Sequence, residues 1–143
     1  MRLSEAIRLG PTVCPAIYGP VFEDWGRVRK GEPCGACRMG ATAFVAGYRN
    51  TLEQGDLFRW MRLQWPMLNT RAKHPVDGVT HELARLIISL HEVSHWSADQ
   101  IADYVETIES KESHDLQSLA NEDQAESSGN EVHQVQQEAI QGR

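Results

Sequence analysis

Residues 86–109 read LIISLHEVSHWSADQIADYVETIE, and the fold turns on how this stretch is divided. Leu83, Leu86, Ile87 and Leu90 recur at intervals of three and four. Ile101, Tyr104, Val105 and Ile108 do the same further on. Each set makes one apolar helical stripe. Between them, Ser97 and Gln100 form an S-x-x-Q capping box, with Trp96 and Ile101 spaced as its hydrophobic staple. The spacing therefore predicts two helices, about 80–94 and 98–109, joined by a tight turn at His95-Trp96-Ser97.

Working outward, Asp56 to Trp65 carries Leu57, Trp60, Met61 and Gln64 on one face, and Pro66 stops it. Residues 69–79, NTRAKHPVDGV, read as a loop. A helix over about 35–46 sets Ala36, Gly40, Ala43 and Gly47 on one face, where another helix can come close. Residues 11–33, rich in Pro and Gly, read as irregular. Ser4 to Gly10 reads as a short helix, with Ser4 as N-cap and Pro11 as stop. No stretch predicts a sheet. The expected fold class is all-α, a compact bundle of four or five short helices over residues 1–110. Trp60, Trp65, Leu83, Leu86, Leu90, Trp96, Ile101, Tyr104 and Val105 are its expected core. Residues 111–143 have no aromatic side chain and are rich in Gln, Glu and Ser, which predicts a disordered polar, acidic tail. Within it, Val132, Val135 and Ile140 could make one transient helical turn.

The 143 residues suffice for one domain. A net charge of −6 supplies no global basic field to hold nucleic acid or anionic lipid. No apolar run is long enough to span a bilayer, and the charged N-terminal MRLSEAIRLG is unlike a signal peptide, so the expected location is cytoplasmic. Three cysteines, an odd number, argue against a disulfide framework.

Inside the opening stretch, His91-Glu92-Val93-Ser94-His95 matches the HExxH pattern of zinc peptidases. On a helix the two imidazoles would lie one turn apart and share a Zn²⁺, while Glu92 activated the bound water. The pair falls opposite the Leu83/Leu86/Leu90 stripe and so could line a cleft. Against this stand several points. The downstream positions that a metzincin fills with Gly and His are Ala98 and Ile101. Glu106, Glu109 and Glu112 lie where a solvated helix face is expected. The helix ends at the motif, where a cation is favoured without any metal. A polar helix end is the cheaper reading.

Several segments together carry a resemblance: MRLSEAIRLG (1–10), CRMGATAFVAGY (37–48), a Trp-Pro followed by HPVDG (65–78), and ISLHEVSHWSADQIADYVETIE (88–109). In this order they resemble a group of small, mostly uncharacterised bacterial and phage proteins. In that pattern Asn-Asp stands where this chain has His91-Glu92, which weakens the peptidase reading further. The resemblance attaches no activity to the chain.

Cys34-Gly-Ala-Cys37 has the spacing of half a zinc site, and His74 and Asp77 could complete it, although an Asp ligand is unusual in structural sites. The alternative is a small apolar Cys37 in a tight helix and a loop thiol at Cys34. The turn at His95-Trp96-Ser97 also invites a helix-turn-helix reading. Beyond its second helix the chain is acidic, where a recognition helix would be basic. The preferred expectation is a small cytoplasmic accessory or regulatory protein, bacterial or phage-encoded, without catalytic activity. It would act through contacts with an unidentified protein partner. The alternatives are a zinc hydrolase using His91, His95 and Glu92, and a structural-zinc or DNA-binding module. No cofactor is called for, zinc being the one candidate.

Overall fold

Gly10 and Ala41 stand where two helices pack tightly in the computed structural model, which describes residues 1–111. Helix α1 spans Leu3–Val13 and helix α3 spans Arg38–Val45. Leu3, Ala6, Ile7 and Gly10 form the buried stripe of α1, which packs against α3. A Cβ placed on Gly10 would sit 2.9 Å from that of Ala41, so only glycine fits there. This corrects the expected helix end. Gly10 is not in a left-handed conformation; it is a packing residue inside α1, and Pro11 is accommodated within the helix. Proline removes only its own donor, and the ladder resumes with Cys14 N–H donating to the Gly10 carbonyl at 2.8 Å. Ser4 is buried inside the helix, and Arg2 takes the N-cap position, its N–H held by Glu5 at 2.7 Å.

Residues 14–24 wrap around residues 34–37. Ile17 N–H donates to Ala36, Ala36 N–H to Pro15, Glu23 N–H to Gly35 and Cys37 N–H to Val21. Ala36 thus bridges to Ala16 on one side and Phe22 on the other. These bonds delay the start of α3 to Arg38, with Cys37 as N-cap. The small residue at Gly40 serves this loop, because a Cβ there would run into the Val21 carbonyl oxygen. A short helix α2, Trp25–Arg29, capped by Asp24, stands within the 11–33 segment, where the sequence predicts irregular chain.

Helix α4, Leu57–Gln64, matches expectation and is capped by Asp56. It runs into a 3-10 turn, Pro66–Asn69. The predicted loop after it is instead a small hairpin, β1 (Arg71–Lys73) antiparallel to β2 (Thr80–Glu82), so the fold is mostly helical and not all-α. Three-residue strands bury no continuous apolar face, which hides them from the pattern. Helix α5, Leu83–Glu92, begins where β2 ends, three residues later than expected. The last described helix, α6, covers residues 98–111.

Leu83, Leu86, Ile87 and Leu90 of α5 and Ile101 and Val105 of α6 are fully buried, as the stripes predict; Ala102 is buried beside them, and Ile108 is only partly covered. Trp65 is buried too, whereas Trp60, Trp96 and Tyr104 are only partly covered. An aromatic chain, Trp25–Phe22–Tyr48–Trp60–Trp65, links α2 to α4 through ring contacts of 4.9–6.5 Å. Met1–Glu106 form one compact unit; Thr107 onward belong to a second, of which residues 107–111 are helical. Apart from Lys111, the expected tail of residues 111–143, with Val132, Val135 and Ile140, lies outside the described residues. No described helix is long and apolar enough to cross a membrane.

Candidate functional site

The HEVSH pentapeptide sits where α5 stops. Helical geometry ends at Glu92, with Val93 as C-cap, and His95 adopts a left-handed conformation at φ 55°. His91 and His95 are therefore not successive turns of one helix. The chain closes back through Ser94 N–H to Ser89 and Trp96 N–H to Leu90. The expected capping box then forms in full. Gln100 accepts from Ser97 N–H at 2.8 Å, and Ser97 Oγ accepts from Gln100 N–H at 3.1 Å.

His91 departs from the sequence reading. The stripe geometry predicts an open face for it, yet it is 1% exposed, because residues 17–19 fold over that side of α5. Its Nε2 lies 2.9 Å from the Ile17 carbonyl oxygen, which can only accept. Nε2 must carry the proton, and Nδ1, itself buried, has no partner among the described residues. Glu92 clamps the same loop, accepting from Gly19 N–H at 2.9 Å. Tyr18 stacks on both imidazoles, at 4.6 Å from His91 and 4.8 Å from His95. The two histidines thus share a phenol ring, while Glu92 holds a backbone amide.

The second expected set is distributed differently. His74 Nδ1 accepts from Val76 and Asp77 N–H, its Nε2 bonds Ser89 Oγ at 3.2 Å, and Asp77 accepts from Val79 N–H. Their H-x-x-D spacing builds the hairpin turn and ties it to α5. Cys37 Sγ caps α3 through Gly40 N–H at 3.5 Å, and Cys34 donates to the Asp24 carbonyl. Cys14, Cys34 and Cys37 are buried free thiols, and burial pushes those of Cys14 and Cys37 up. Among the described residues, no three His, Cys, Asp or Glu side chains gather in a way that could hold a metal ion.

Two residues that the sequence does not single out line a cleft of about 420 Å³ between α1, the start of α3 and the start of α6. They are Arg8 and Arg38. Arg8 bonds Glu106 at 2.8 and 3.2 Å and also pairs with Asp103. These carboxylates hold its charge firmly, and Arg8 in turn holds the Glu106 carboxyl below its ordinary range. Arg38, 6% exposed, has no such company, and burial pushes its pKa down. The only hint in the sequence is a lone cation within the otherwise small and apolar run 36–45.

Compared with protein-family models, with curated proteins and with solved structures, the chain matches none.

Proposed function

We propose that this chain is a small cytoplasmic accessory protein that binds a protein partner and catalyses nothing at HEVSH. What carries the reading is His91. One ring nitrogen is spent on the Ile17 carbonyl and the other is shut off from solvent, so neither is presented to a metal. A peptidase would also need Glu92 facing a bound water, and its Oε1 is held by Gly19 N–H. For binding, the chain offers Leu52, wholly exposed on a loop beside Asn50, Thr51 and Glu53, which line a wider cleft with Arg29.

The test uses untagged, chelator-treated protein given Zn²⁺, unfolded casein and a quenched peptide library. The expected result is no stoichiometric zinc and no cleavage. Cleavage that a chelator blocks and Glu92→Gln abolishes would install the hydrolase instead. In the native cell, a partner cross-linked to the wild type should be lost with Leu52→Asp; its retention would move the contact elsewhere.

A further inference from the structure

Arg38 is a largely buried cation with no carboxylate partner among the described residues. Its Nε is buried and has no hydrogen-bond partner among the described residues, and the side chain lines the cleft. The titratable side chains that act on its charge are Tyr18 and Cys37, neither of them a carboxylate. A buried charge without a partner is costly, and arginine cannot escape by losing its proton. The remedy is an anion.

The surroundings fit one. Arg38 is the first residue of α3, and Ser97, Ala98 and Asp99 open α6 on the facing wall. Two helix N-termini, each with partial positive charge, therefore meet at one cleft. The capping box occupies the N–H groups of Ser97 and Gln100. It leaves those of Ala98 and Asp99, which have no intrahelical acceptor. Pro11, Ala16 and Ala98 add apolar wall. One feature opposes an anion: the Asp99 carboxylate on the rim, 3.9 Å from Arg8. Arg8 already faces two carboxylates, Glu106 and Asp103, and cannot offset a third negative charge.

We propose that this cleft binds the anionic head of a small organic molecule, a carboxylate or a phosphate monoester, with Arg38 as its counter-ion. Guanidinium pairs with either group through two parallel bonds. Asp99 tilts the preference toward the singly charged carboxylate. This site stands apart from the protein-contact reading and survives its failure.

The experiment is an NMR titration of the full chain with sodium benzoate, with inorganic phosphate, and with chloride at equal ionic strength. Saturable shifts at Arg38 Nε and the Ala98 and Asp99 amides are expected with benzoate, absent with chloride and absent in Arg38→Gln. Saturation by phosphate in place of benzoate also supports the site and assigns it to phosphate esters. Equal responses to all three salts, or a benzoate response that survives Arg38→Gln, would overturn it. Should Arg38→Gln fail to fold, Asp99→Asn on the exposed rim decides. It should tighten phosphate binding at least roughly threefold by removing a nearby like charge; unchanged affinity for both anions would sink the proposal.

Discussion

The seam that α3 makes with α1 and with the loop of residues 14–24, and the turn between α5 and α6, are both tight, and they are tight for opposite reasons. At the seam, backbones touch because side chains are missing: Gly10 meets Ala41, and Gly40 meets the Val21 carbonyl. At the turn, backbones are held by side chains: His91 takes Ile17, Glu92 takes Gly19, and Ser97 and Gln100 cap each other. A seam of the first kind has no spare room. A joint of the second kind has several partial supports, each removable at modest cost.

The largest effect should therefore come from the smallest change. Gly40→Ala puts a methyl group against an oxygen that already accepts the Cys37 N–H at 2.9 Å, so the loop cannot retreat without breaking that bond. We expect a loss of about 3 kcal/mol in denaturant unfolding. A loss below about 1 kcal/mol would mean that the seam is looser than described.

His91→Ala should come next, at about 2 kcal/mol, because it removes a buried ring and strands the Ile17 carbonyl. The sequence reading, with His91 on a polar helix end, expects little cost. Unfolding curves for this variant separate the two directly. Ser97→Ala removes half of the capping box and should cost about 1 kcal/mol. If Ser97→Ala proved worse than His91→Ala, the turn would be held by its cap and not by the clamp on residues 17–19.

The smallest effect is electrostatic. Arg8 depresses the Glu106 carboxyl, so the folded state binds that proton less readily than the unfolded chain. The pair stabilises the fold above the ordinary carboxylate pKa, and the gain is lost as pH falls through the folded value. Glu106→Gln should be less stable than the wild type at neutral pH, with the difference shrinking below about pH 4. Because both side chains are partly solvated, added salt should shrink it too.

Legibility in the sequence divides along the same line. The stripes of α5 and α6 and the Ser97–Gln100 box are readable, because period and local capping are written in adjacent residues. The roles of Gly10 and Gly40 are not. A glycine looks the same in sequence whether it ends a helix or admits a neighbour, and Gly10-Pro11 mimics a helix stop. The β1–β2 hairpin escapes because three-residue strands show no alternating face, and its turn chemistry, His74 to Asp77, has the spacing of metal ligands besides. Of the candidate site, HEVSH is visible as a pattern, but its meaning lies in residues 17–19, over 70 positions away. Arg38 shows in the sequence only as a lone cation in the run 36–45, since the missing partner of its Nε among the described residues exists only in three dimensions.

The most direct test of the clamp is the protonation pattern of the His91 ring. Long-range ¹H–¹⁵N correlation at mildly alkaline pH, with and without one equivalent of Zn²⁺, reads which nitrogen carries the proton. The account predicts the Nε2–H tautomer, hydrogen-bonded to the Ile17 carbonyl, with spectra unchanged by zinc. A deprotonated Nε2 that shifts together with His95 when zinc is added would contradict it.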